Sequence, residues 1–271
     1  MIRFANYSDL FSAPQSQGGG AEELDEREAE ILTGLLLEAI DVQAIRASEE
    51  PIRRRLAHAR AELQLDGQAQ GAGDLVRRAI NAATTLMGIG PLRRGGQWIA
   101  GQFLVGELAQ VARYLARSEQ DEFGQTLDAQ IRGRVSEAFG DAPLIIVAHS
   151  LGTIVCWEAL HHYAGIVSLF VTLGSPIALR TVVLPRLVPS PPSTPESVRN
   201  WLNFWDRDDI IAARPHLEAD IAPNSLYVVP RTARVDSDGL WVHTATKYLT
   251  QTSVAGPIAE ALGRIDSGGQ N

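Results

Sequence analysis

Five consecutive apolar residues, Leu144, Ile145, Ile146, Val147 and Ala148, run into His149, Ser150, Leu151 and Gly152, and then into Ile154, Val155, Cys156 and Trp157. A short, unbroken apolar run of this kind belongs to a strand buried on both faces, the situation of a parallel sheet. A parallel strand reaches its neighbour only through a crossover, usually a helix. The segment therefore reads as buried strand, sharp turn and apolar helix, with the helix expected over 154–163. A second buried strand is expected over 166–173.

The remaining pattern fits the same architecture. Residues 127–139 read as a helix closed by Gly140, 200–205 and 226–229 as strands, and 244–250 and 257–265 as helices. Residues 185–195 contain Pro185, Pro189, Pro191, Pro192 and Pro195 and form a loop. Strands alternating with helices imply an α/β fold with a doubly wound, mostly parallel sheet. The first half differs. Residues 2–7 alternate as a short strand would, and 15–20 are a Gly/Ser/Gln loop. Four helical stretches follow, at 21–47, 52–65, 74–86 and 98–115, separated by Pro51 and by the breakers Gly88, Gly90, Pro91, Gly95 and Gly96. The expectation is one domain over 1–271, with residues 21–118 as a helical insertion or cap.

The 271 residues are 45% hydrophobic and 21% charged, which excludes a disordered chain. With 24 Lys plus Arg against 32 Asp plus Glu, the formal charge is -8, so the chain has no general attraction for nucleic acid or an anionic membrane surface. The single cysteine, Cys156, excludes an internal disulfide and a cysteine-based zinc site. No segment reads as a signal peptide, and the weakly polar stretch 79–91 is too short to span a bilayer, which takes about 20 apolar residues. A cytoplasmic location without stable membrane insertion is expected.

Ser150 is the residue that points to chemistry. A serine on a sharp strand-to-helix turn projects its hydroxyl from the strand end, and the next N–H, that of Leu151, sits at a helix N-terminus where it can bind an oxyanion. Such a turn demands small residues two before and two after the serine; here they are Ala148 and Gly152. The competing reading makes Ser150 an ordinary helix N-cap. An activated serine needs a base, and the base needs a carboxylate. Downstream lie His216 and His243, and residues 200–211 hold Asp206, Asp208 and Asp209, among which spacing does not choose. His161 and His162 are adjacent on a helix and diverge by about 100°, so they do not share a metal. His58 lies among arginines with no visible partner.

Ala148-His-Ser150-Leu-Gly152 resembles the nucleophile elbow G-x-S-x-G, with alanine for the first glycine, and residues 129–249 are similar to the serine esterases and lipases of the α/β-hydrolase superfamily. The resemblance implies a Ser–His–Asp triad in the order Ser, Asp, His. The base falls in the loop after the last strand, which favours His243 and leaves His216 at the surface. Asp206-Arg-Asp208-Asp209-Ile-Ile matches the family's strand-end pattern, which implies Asp209 as the triad acid, Asp206 as a loop organiser and Asp208 as a solvated residue. Gly174-Ser-Pro176 also looks lipase-like, and reads equally well as a tight turn.

One family element is missing. No apolar run ending in His-Gly, the usual source of the second oxyanion N–H, occurs in residues 1–143, and residues 2–11 resemble the family's fourth strand, which comes just after that element. Three explanations stand: an N-terminal truncation, which is favoured; a sheet that closes directly, with Gly18 to Gly20 supplying the oxyanion hole; or a protein that keeps the fold without catalysis.

The reading that follows is a serine hydrolase of a carboxylic ester or related acyl bond, acting on a small-molecule acyl substrate. Ser150 is the nucleophile, His243 the base, Asp209 its partner and Leu151 N–H an oxyanion donor. No metal or organic cofactor is implied. The alternative is a catalytically impaired binding protein on the same fold, docking through the charged helix that carries Arg53 to Glu62. No G-x-x-x-x-G-K-[ST] stretch supports a nucleotide enzyme. Trp98, Phe103, Leu104 and Leu108 read as a core-facing helical stripe, or else as a lid over apolar acyl groups.

Overall fold

The computed structural model describes residues 2–11, 24–64, 71–88, 97–212, 214, 216–237 and 242–268; the side chains of 97–100 and 266–268 fall outside that description. The chain divides into two compact units. One comprises Met1–Asn6, Ile131–Arg180 and Leu184–Asn271, the other Tyr7–Gln130 and Thr181–Val183.

The second unit is helical. Helices α1 (Glu26–Arg46), α2 (Glu50–Gln64), α3 (Ala72–Met87) and α4 (Gln97–Ala116) pack so that α1 meets the other three and α3 meets α2 and α4. Asp25 begins α1 with a capping box: its carboxylate accepts the Glu28 N–H, and the Glu28 carboxylate accepts the Asp25 N–H. Leu32, Leu35, Leu36, Ile40, Leu56, Leu104 and Leu108 fill the core. Leu104 and Leu108 thus follow the core-stripe reading, Phe103 is exposed, and the Trp98 side chain lies outside the described residues. No helix among the described residues is long and apolar enough to cross a membrane.

Helix α5 (Leu127–Glu137) leads into the α/β unit. There, strands β1 (Leu144–His149), β2 (Val167–Leu173), β3 (Trp201–Asp206) and β4 (Pro230–Val235) form a four-stranded sheet in that order, every pair parallel. Helix α6 (Leu151–Leu160) makes the crossover from β1 to β2, and α7 (Ala245–Leu249) and α8 (Thr252–Gly268) follow β4. Strand side chains alternate between faces. On one face Leu169, Val171, Leu173, Phe204 and Val235 pack with Tyr248 of α7 and Val254 of α8. On the other, Phe170 stacks on Trp201 at 5.1 Å, and the Trp201 indole donates to Thr172 Oγ1.

Three local readings change. Residues 2–7 are not a strand: Ile2 and Phe4 point into solvent and Arg3 donates to the Ala138 carbonyl. An alternating hexapeptide becomes a strand only where a neighbour takes up its N–H and C=O groups. The fourth strand is not 226–229 but the more polar Pro230–Val235. Asn224 Oδ1 accepts the N–H groups of Leu226 and Val228, which winds the apolar residues into an exposed turn with Tyr227 at φ 60°. Strand β4 ends the described sheet and has one paired edge, so polar residues suit it, and Pro230 occupies its first position, where a missing N–H costs least. Helix α6 starts at Leu151 rather than Ile154, directly on the turn.

The core of the sheet gives a direct stability test. Phe170→Ala empties a fully buried site against Trp201 and should lower the unfolding free energy of the α/β unit by about 3–5 kcal/mol. The urea midpoint followed by tryptophan emission reads it; a loss below about 1 kcal/mol would mean that Phe170 does not pack as described.

Candidate active site

The β1–β2 pairing continues one residue past the strand: Ser150 N–H donates to the Leu173 carbonyl at 3.1 Å. Between that bond and the first turn of α6 the backbone must reverse sharply, and Ser150 adopts φ 51°, ψ −129°. A non-glycine residue in this region costs about 1–3 kcal/mol and persists only where its surroundings enforce it. Here Thr153 enforces it, donating both its N–H, at 2.9 Å, and its hydroxyl, at 2.7 Å, to the Ser150 carbonyl. With its own proton committed, Thr153 Oγ1 accepts from Ser175 Oγ at 2.8 Å, and Ser175 Oγ accepts the Ile177 N–H at 3.3 Å. Ser175 therefore braces the turn from β2 and begins a short 3-10 turn, Pro176–Ala178.

Ser150 makes no capping bond to α6. Its buried hydroxyl lies 2.9 Å from His243 Nε2, and His243 Nδ1 lies 2.7 Å from Asp209 Oδ2. The structure thus brings Ser150, His243 and Asp209 into one chain of hydrogen bonds and speaks against the simple N-cap reading. Leu151 is the first residue of α6, a position whose N–H has no intrahelical acceptor. Gly18 to Gly20, the sequence's candidate for a second donor, lie outside the described residues.

The three aspartates separate by environment. Asp206 is buried; its Oδ1 accepts the Asp208 N–H at 2.9 Å and its Oδ2 accepts the Ser237 N–H at 2.6 Å, tying the turn after β3 to the segment after β4. Asp208 is exposed. Asp209 is fully buried and receives four donors: Ile211 and Ala212 N–H on Oδ1, His243 and the Tyr248 hydroxyl on Oδ2. Burial pushes its acidity towards the neutral form, and the opposing charge of His243 with these hydrogen bonds overcomes that, so the carboxyl lies below its ordinary range. Burial, and then the Asp209 charge, push the Tyr248 phenol far above its ordinary range.

Two further residues enclose the pair. Gly174 sits at φ 55°, and a Cβ there would lie 2.9 Å from Asp209 Oδ2 and 3.1 Å from the His243 ring, so only glycine fits. His149 packs its ring 4.7 Å from that of His243, and its buried Nε2 has no hydrogen-bond partner among the described residues. Burial, and secondarily His243, push its imidazole down to about 4. Thr153, Gly174 as backing and Tyr248 were not singled out in the sequence; the one local signal was Gly174-Ser-Pro176 at a strand end.

The other histidines stand apart. His216 is exposed beside Glu218, His58 is exposed beside Glu62, and His161 packs edge-on against Trp157. Among the described residues no group of three or more His, Cys, Asp or Glu is arranged to hold a metal ion. No family model, curated protein or solved structure matches the chain.

The depressed His149 has a consequence for stability. Unfolded, it takes up a proton near pH 6.5; folded, it stays neutral until about pH 4. In that window the unfolded state binds more protons, so His149 makes stability fall as pH falls. His149→Phe should flatten this part of the urea-midpoint profile between about pH 6.5 and 4. Profiles of equal slope would place His149 in a more polar setting than the one described.

Proposed function

We propose that the protein is a serine hydrolase cleaving carboxylic esters or related acyl bonds, on an α/β-hydrolase-like, doubly wound fold with residues 21–118 as a helical insertion or cap. One observation carries the reading: a buried serine at φ 51° turns its hydroxyl away from helix capping and towards a histidine 2.9 Å away, itself held at 2.7 Å by a buried carboxylate. A merely structural serine at a helix start would lower its energy by capping.

Each group then has a defined task. Ser150 Oγ attacks the acyl carbonyl while His243 Nε2 takes its proton. Asp209 accepts the Nδ1 hydrogen, holding the tautomer with Nε2 free and stabilising the imidazolium once formed. The carbonyl oxygen gains negative charge that the Leu151 N–H stabilises; one such donor is worth about 2.7–4 kcal/mol in serine hydrolysis. The imidazolium next protonates the leaving alcohol or equivalent group, which departs and leaves an acyl ester on Ser150. Water, deprotonated by the same imidazole, releases the acid and restores the serine. The low dielectric around these buried groups strengthens every charge interaction in the cycle.

Covalent labelling with a fluorophosphonate probe, mapped by peptide mass spectrometry, tests this reading. The wild type should label at Ser150, Ser150→Ala should not label, and His243→Ala should label at least about a thousandfold more slowly, the order lost when a triad member is removed. A cooperatively melting wild type that takes no label would overturn the hydrolase reading in favour of a binding protein on the same fold.

A further inference from the structure

We propose that Tyr248 is a positioning residue of the hydrolytic site, a fourth member of the relay that sets how strongly Asp209 holds the His243 imidazolium; this rests on the serine-hydrolase reading.

The direction of the Tyr248 hydroxyl is fixed by its two contacts. Its oxygen accepts the Asp206 N–H at 3.2 Å, and an N–H only donates, so the phenolic hydrogen is left for Asp209 Oδ2, 2.6 Å away. That oxygen is also the one bonded to His243 Nδ1, at 2.7 Å. Two donors therefore divide the charge of one carboxylate oxygen, and whatever Tyr248 takes is withdrawn from the imidazole. A carboxylate has about four lone-pair sites. With Ile211 and Ala212 N–H on Oδ1, all four are filled, which fixes the rotation of the carboxylate and keeps it ionised.

Tyr248 is well held in this role. Its ring is fully buried on α7 within the cluster of Leu173, Phe204, Val235 and Val254. It stands five residues beyond His243, so one short segment delivers both donors to Oδ2. Gly174 closes the opposite side, where a Cβ would meet Asp209 Oδ2 at 2.9 Å. The titratable groups facing the pair are His149 from β1, Asp206 at the end of β3 and Tyr248 itself; His149 packs against the His243 ring and the Tyr248 ring.

The sign of the effect follows from this sharing. Without the phenol, Oδ2 regains charge, holds the imidazolium more tightly and keeps His243 protonated to higher pH. A more acidic phenol draws more charge from Oδ2 and does the opposite. A role confined to packing would move nothing in a graded way with phenol acidity.

The test uses the full chain with Tyr248→Phe, and with 3,5-difluorotyrosine introduced at position 248. Two readouts are taken: hydrolysis of p-nitrophenyl acetate against pH, and the NMR titration of the His243 Hε1 proton in resting protein. For Tyr248→Phe we expect kcat on the plateau to fall about tenfold with KM within about twofold, because the carboxylate loses a bond that fixes its rotation, and with it the imidazole's orientation towards Ser150, a cost that outweighs the tighter hold on the imidazolium. The acid limb of kcat and the His243 titration should both move upward by roughly half to one pH unit. The difluorinated protein should move both downward. If Tyr248→Phe does not fold, the difluorinated protein alone decides. Titrations that superpose on the wild type, in whichever variant folds, overturn the assignment. A wild type inert to ester and fluorophosphonate, with His243 still shifting in opposite directions in the two variants, would defeat the hydrolase reading while leaving the charge coupling of Tyr248 to His243 in place.

Discussion

The parallel register of the sheet sets His149 beside Leu173 and Leu173 beside Phe204, so β1, β2 and β3 end side by side. Ser150, Gly174 and the turn that begins at Asp206 therefore emerge at one edge, the first two with their backbone still tied to the neighbouring strand: Ser150 N–H to the Leu173 carbonyl and Gly174 N–H to the Phe204 carbonyl. Strand ends held in this way bring reactive groups together without long flexible connections. A shift of one residue in any pairing would also turn that strand's side chains to the opposite face. The apolar residues of β2, buried on both faces, oppose such a shift, so the core packing of the sheet and the geometry of the site rest on the same bonds.

Within that frame the buried carboxylate is the expensive part. A charge removed from water is unfavourable unless paired and hydrogen-bonded. Asp209 meets the requirement with four donors drawn from three places in the chain: its own turn, the loop carrying His243, and α7. The arrangement is demanding in its neighbours, which explains a glycine at φ 55° behind the pair and a neutral His149 beside it. A second positive imidazole at 4.7 Å would compete with His243 for the same negative charge.

What the sequence revealed divides along the range of the interactions involved. Ser150 was legible because its signal is local: an apolar strand, small flanking residues and an apolar helix within fourteen positions, 144–157. The residues read from resemblance, His243 and Asp209, are those the fold brings to the serine, whereas spacing alone left Asp206 and Asp208 equal to Asp209. Burial and hydrogen bonding distinguish them. Tyr248, the brace that Ser175 gives Thr153 and the backing role of Gly174 depend on contacts across 22 to 69 residues, which no local pattern encodes. The four helices of the first half were legible from their periodicity to within about two residues at every end but one: α1 begins at Glu26, behind the Asp25 cap, and not at residue 21. The strand errors were of the opposite kind: Ile2, Phe4, Leu226 and Tyr227 are apolar yet exposed and lie outside any strand, and β4 is polar yet paired, because a sheet's edge does not obey the burial rule that makes β1 and β2 readable.

The central claim is that Ser150 acts as a nucleophile and carries an acyl group between two half-reactions. Rapid mixing of the intact protein with p-nitrophenyl acetate tests it most directly, with acid quenching and mapping of any trapped acetyl group. The account predicts a burst of p-nitrophenolate approaching one equivalent per chain, with the acetyl group on Ser150. Release of p-nitrophenolate by the folded protein without a burst and without acetyl-Ser150 under several quench times, or an acetyl group found on another residue, would contradict it.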